Sequence, residues 1–175
     1  MAGGDGTFHL AADALVDGRS PHLQLGLVPA GTGSDFNRCL PGDQNLRARL
    51  QLAVFGEHTH PLRLAEVQSD EGLSAFINVA SVGLSGYVAN NVERLFKRVG
   101  VFGYSLAMFH GISTFSPQNM EVKVDGKTLH RGKTMICAVG CGQFFGGGKR
   151  VTPFGNPLGD DLHVVAIRLP KLRAL

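Results

Sequence analysis

Long apolar runs, dense basic runs and a cysteine framework are all missing from this sequence. No apolar stretch is long enough to span a bilayer, and no secretory signal opens the chain, so any meeting with lipid is expected from the surface. Arginine and lysine are scattered, with short pairs at Lys97-Arg98 and Lys149-Arg150 that read as solvated charge. That excludes the basic tract of a nucleic-acid binder. Three cysteines, Cys39, Cys137 and Cys141, offer neither a disulfide framework nor zinc spacing. Cys137 and Cys141 lie in an apolar run that reads as a strand, where cysteine is a small buried hydrophobe. A reduced, cytoplasmic setting is expected. Internal repeats and low-complexity tracts are also missing.

What remains is globular in composition. Of 175 residues, 43% are hydrophobic and 18% charged, enough for one good core or two small ones. The net charge of +3 suits a nucleotide or an anionic membrane surface. Glycine is abundant, and it is densest at Gly3-Gly4-Asp5-Gly6-Thr7. Glycine permits positive φ and close approach of a ligand to the backbone. Successive N–H groups in such a turn form an anion-binding concavity, and a following helix adds unpaired N–H groups and a positive dipole end. Asp5 repels phosphate by itself. It makes sense if Mg²⁺ lies between the two, or if it orients or deprotonates a hydroxyl nucleophile. The competing structural account is a glycine-rich turn with Thr7 as helix N-cap.

A second such loop, Ala30-Gly31-Thr32-Gly33-Ser34-Asp35-Phe36, follows an expected strand over 23–29 and precedes a short helix over 35–39. Two loops of this kind can face one polyphosphate. The first has only Met1-Ala2 before it, so its strand is either absent or lost from the chain. Helices are expected over 7–16, 46–55 (with Leu46, Leu50 and Ala53 on one face), 85–96 and 101–115. Val101, Tyr104, Ala107, Met108 and Ile112 form an apolar stripe on the last of these. Strands are expected over 62–67, 75–82, 134–139 and 162–169, with a hairpin over 120–129 turning at Asp125-Gly126. Residues 56–61 read as a linker in which His58 and His60 are surface histidines. The pattern is α/β to residue 57 and β-rich with two helices over 58–175.

Gly3-Gly4-Asp5-Gly6-Thr7 together with Pro29 to Arg38 resembles the diacylglycerol kinase and sphingosine kinase catalytic superfamily, including its bacterial lipid kinases. Phe76 to Leu84 resembles the first long strand of that family's second domain. Gly146-Gly147-Gly148 with Pro153 and Leu162 resembles its late glycine-rich hairpin and the strand after it. The resemblance implies a partial Rossmann-like nucleotide-binding domain (1–57), a β-sandwich-like second domain with two helices (58–175), and transfer of the γ-phosphate of ATP·Mg²⁺ to a lipid hydroxyl at a membrane surface. It implies that Gly3, Gly4, Asp5, Gly6, Thr7, Gly31, Thr32, Gly33 and Ser34 hold the nucleotide, with Asp5 beside Mg²⁺ and the transferred group. A peripheral position at the inner membrane face goes with it.

The sequence departs from the family's pattern in several places. His9-Leu10 stand for Asn-Glu, Ser34 for Asn, Arg63 for an Asp and Cys141 for an Asn. Phe154 and Leu158-Gly159-Asp160 stand within the late acidic segment, whose acids can bind Mg²⁺ in the family. Asp160 and Asp161 remain, displaced, as metal candidates; two solvated acids in a turn is the competing reading. The family also places a strand and helix before the first motif and a segment with a general base after Leu175, so a fragment is expected, with solubility or homodimer formation affected. An NAD kinase-like phosphotransferase shares the first loop, while the second argues for lipid. A catalytically silent nucleotide- or lipid-binding fragment is the third reading.

Overall fold

The computed structural model describes residues 1–16, 24–31, 33–95 and 101–168. The first elements are β1 (Ala2–Gly3), α1 (Asp5–Val16), β2 (Val28–Pro29), a 3-10 turn (Asn37–Cys39), α2 (Leu46–Phe55), β3 (Ala65–Ser69), β4 (Gly72–Phe76) and β5 (Val79–Gly83). Then come α3 (Leu84–Leu95), α4 (Val101–Thr114), β6 (Gln118–Val124), β7 (Lys127–Thr134), β8 (Ile136–Gly140), β9 (Phe144–Phe145), β10 (Lys149–Arg150) and β11 (His163–Ile167). The chain forms two compact units. Met1–Ala80 with Gly140–His163 make one, and Ser81–Val139 with Val164–Leu175 the other. Residues 58–80 and 140–163 thus group with the glycine-rich N-terminus, a division different from one boundary after residue 57.

In the first unit β1 lies parallel to β2, Ala2 opposite Val28 and Gly3 opposite Pro29. The first loop therefore does follow a strand, a two-residue one. Val28 N–H donates to the Met1 carbonyl and Ala30 N–H to that of Gly3, both at 2.9 Å. Of the strand expected over 23–29, residue 23 lies outside the described residues, and among the rest Val28–Pro29 is strand, paired with the two residues of β1. Helix α1 starts at Asp5, earlier than expected: Phe8 N–H donates to the Gly4 carbonyl at 3.1 Å, so Thr7 lies inside the first turn and is not the N-cap. Phe8 and Ala12, one turn apart, are buried with Phe36 and Ile77, and Leu27, Leu40, Leu62 and Leu64 pack against them. Asp13 accepts from Ala75 N–H at 3.1 Å, fastening α1 to β4.

Helix α2 has the expected limits, with the Asn45 side chain accepting from Arg47 N–H as N-cap. Its inward face differs from expectation. Leu46 and Leu50 are 55% and 50% exposed, whereas Arg49 is buried. Arg49 Nη2 donates to the Leu40 carbonyl at 3.2 Å, and Gly26 lies so close to Ala53 that a Cβ there would stand 2.8 Å from it. The expected strand over 75–82 is split at Ile77-Asn78 into β4 and β5. Asn78 turns its polar groups elsewhere: Nδ2 donates to the Phe144 carbonyl at 2.8 Å, and its own carbonyl accepts from Gly142 N–H at 3.0 Å.

The second unit holds the β6–β7 hairpin, in which Asp125 and Gly126 take φ of +49° and +76°. Such a pair of left-handed residues is what a two-residue hairpin turn requires. The strands order as β11-β8-β5. Leu84, Val88 and Met135 form the core, with Tyr87, Met108, Phe115 and Ile136 packed on it. On α4 the described inward residues are Met108 and Gly111, with Phe115 just past its end packed on the same core, while Ile112 and Phe109 are exposed. A side chain at Gly111 would meet Val88 Cγ2 at 2.7 Å, so this glycine lets α3 and α4 approach. The side chains of residues 101–107 lie outside the description, and with them Val101, Tyr104 and Ala107. Among the described residues no helix is long and apolar enough to cross a membrane.

Candidate functional site

The two N-terminal glycine-rich loops leave neighbouring parallel strands at the same end and touch through their backbones. A Cβ on Gly31 would land on Gly4 Cα, and one on Gly4 would stand 3.0 Å from Gly31 Cα. Only glycine at both positions allows this approach. Asp5, in the first turn of α1, spans the gap. Its Oδ2 accepts from Asp35 N–H at 3.0 Å and its Oδ1 from Phe36 N–H at 2.8 Å. Beneath them the Phe8 and Phe36 rings meet edge to face with centroids 6.3 Å apart. One carboxylate and one aromatic pair thus fix both loops.

The arrangement fits an anion. The α1 N-terminus presents unpaired N–H groups. Gly6 is exposed, and a Cβ there would have nothing within 4 Å. The negative charge of Asp5 is occupied by two amides of the second loop. Gly33 lies beside it, its notional Cβ 3.2 Å from Asp5 Oδ2. Ser34 has φ of +48° and its Oγ donates to the Gly31 carbonyl at 3.0 Å, which closes the second loop on itself. Gly3 is overlaid by the Thr7 side chain. Thr32 lies outside the described residues.

The acids Asp160 and Asp161 stand apart from this constellation in their hydrogen bonding. Asp160 pairs with Arg63 at 2.5 Å, both side chains largely exposed. Among the described residues no group of three His, Cys, Asp or Glu is placed to hold a metal ion. Sequence reasoning missed the role of Asp35. It is buried, and its carboxylate accepts from Gly147 N–H at 2.8 Å and Gly148 N–H at 2.6 Å. The usable signal was its place after a glycine loop and before a helical turn; its partner was not visible from there.

Cys39 Sγ accepts from Gln143 N–H at 3.2 Å, and Cys141 Sγ donates to the Asn78 carbonyl at 3.4 Å. Burial pushes the Cys141 thiol up to about 11 and raises that of Cys137. Both remain protonated at neutral pH, as packing cysteines do. Phe144 and Phe145 are half-buried, His110 is exposed, and His163 Nδ1 accepts from Phe154 N–H at 3.3 Å.

Comparison with known proteins identifies the class. Residues 1–67 match the diacylglycerol kinase catalytic domain, and residues 78–175 match the YegS C-terminal NAD kinase beta sandwich-like domain. The chain belongs to the diacylglycerol kinase-like family that these two domains define. It is 31% identical over 153 residues to the "Probable lipid kinase YegS-like" of Klebsiella pneumoniae (strain 342), covering 86% of this chain and 49% of the relative. It is 30% identical over 156 residues to the "Probable lipid kinase YegS" of Salmonella gallinarum (strain 287/91 / NCTC 13346), covering 86% and 50%. The fold matches the crystal structure of a diacylglycerol kinase from Bacillus anthracis str. Sterne with a TM-score of 0.67 at 21% identity, over 95% of this chain and 53% of that one. The chain spans about half the length of the curated relatives it matches.

Proposed function

We propose that this chain carries the phosphate-holding part of an ATP-dependent lipid kinase, which transfers the γ-phosphate of ATP to a lipid hydroxyl at a membrane surface. The observation that carries the reading is the Asp5 bridge, two glycine loops joined by one carboxylate. Phosphoryl transfer asks the protein chiefly to position groups and balance charge. Mg·ATP, when bound, supplies the phosphoryl group and the neutralising cation. Gly3, Gly4, Gly6, Thr7, Gly31, Thr32, Gly33 and Ser34 would hold the phosphates through backbone and hydroxyl groups. Asp5 keeps the two loops in register. Its lone pairs not used by amides remain available to a cation. The cytoplasmic face of a membrane is where such a chain would meet both substrates.

The test is phosphorylation from labelled Mg·ATP, with mixed micelles of diacylglycerol, a sphingoid base or phosphatidylglycerol, and NAD in parallel. Label in a lipid, reduced by about two orders of magnitude in Asp5→Asn, is the expected result. Label in NAD alone would replace the lipid reading by the NAD kinase-like one. Nucleotide binding without transfer to any acceptor would select a silent binding fragment.

A further inference from the structure

A third glycine-rich turn joins the first two. Gly146, Gly147 and Gly148, between β9 and β10, have φ of +66°, +81° and +91°. Successive N–H groups in such a conformation converge on an anion. Here Gly147 and Gly148 N–H both point at the Asp35 carboxylate, at 2.8 and 2.6 Å. Asp35 is the residue whose own N–H is held by Asp5. A carboxylate-to-amide relay therefore runs from the first loop through the second to the third. Arg38 completes it. Its Nε is 3.6 Å from Asp35 Oδ1, its Nη2 donates to the Gly33 carbonyl at 3.4 Å, and a Cβ on Gly148 would stand 2.9 Å from its Nη1. Two amides and a guanidinium thus balance the buried charge of Asp35, so the second loop does not repel an incoming phosphate on its account.

We propose that the Gly146–Gly148 turn is a third wall of the phosphate site, and that Asp35 is the positioning residue that latches it to the Gly31–Ser34 loop. This rests on the nucleotide-site reading above. The consequence is a division of labour between two aspartates: Asp5 sets the spacing of the first two loops, Asp35 that of the second and third. Asp35 touches no phosphate itself and acts through the turn it holds.

The test combines amide hydrogen exchange with calorimetric titration of Mg·ATP, on the wild type, Asp35→Asn, Gly147→Ala and Gly126→Ala. Gly147 and Gly126 are a matched pair: both have positive φ, and a Cβ at either meets nothing within 4 Å. They differ in place, so Gly126→Ala reports the effect of backbone strain alone. Asp35→Asn is expected to speed exchange at Gly147 and Gly148, and with Gly147→Ala to weaken Mg·ATP binding by about tenfold or more. Gly126→Ala is expected to lower the melting temperature and leave the affinity unchanged. Unaltered exchange in Asp35→Asn overturns the latch. Wild-type affinity in both Asp35→Asn and Gly147→Ala overturns the third wall while leaving the nucleotide site standing. A wild type that does not bind Mg·ATP overturns both that reading and this inference.

Discussion

Ser34 holds a backbone conformation, φ +48°, that costs a non-glycine residue about 1 kcal/mol or more. Asparagine tolerates the left-handed region better than serine. Ser34→Asn is therefore expected to raise stability by about 0.5 kcal/mol, read as a higher urea midpoint at unchanged slope. Cys141 makes a pH-dependent contribution. Its folded pKa, about 11, stands above the ordinary thiol value of 9.0 because burial disfavours the thiolate. The unfolded chain loses this proton first, so the contribution is complete below pH 9 and is lost as pH rises toward 11. Cys141→Ala should flatten the fall in stability across that window, measured by denaturant unfolding at stepped pH. At this scale the glycines and Asp5 were legible, because a short motif carries its own chemistry. Asp35 was not, because its partners lie 112 and 113 positions away.

Elements were legible in extent where local signals bound them. Asn45 and Gly56 bracket α2, and Asp125-Gly126 sets the β6–β7 turn. Their orientation was less so. Apolar spacing selects Leu46 and Leu50 as the inward face of α2, yet the close seat of Gly26 against Ala53 turns Arg49 inward. Arg49 Nε is buried without a hydrogen-bond partner, and desolvation lowers the guanidinium pKa, with Asp43 pulling it back up. The Leu40 carbonyl that Arg49 touches also accepts from Gln44 at 2.9 Å, so it stays satisfied if Arg49 is replaced. Arg49→Met is accordingly expected to leave stability unchanged or raise it by about 1 kcal/mol. Leu50→Gln, on the exposed face, should shift it by less than about 0.5 kcal/mol. Thermal unfolding of both variants checks the orientation; a large loss in Leu50→Gln would mean that α2 buries the other face.

For the whole molecule, composition and element order pointed to α/β followed by β, and the fold agrees. The interleaving did not show, because periodicity reports which face of an element is buried and not what covers it. Gly140–His163 returns to the first unit and brings with it the turn that Asp35 holds. The Gly3–Thr7 and Gly31–Ser34 loops together form the proposed phosphate site. Thermal unfolding with and without Mg·ATP, for the wild type and Gly31→Val, tests it most directly. A ligand that binds the folded state alone stabilises it by about 2.7 kcal/mol at a concentration one hundred times its Kd. The expected result is a midpoint raised by Mg·ATP in the wild type and unmoved in Gly31→Val, whose side chain would occupy the place of Gly4 Cα. A wild-type midpoint indifferent to Mg·ATP, or an equal rise in both proteins, would contradict it.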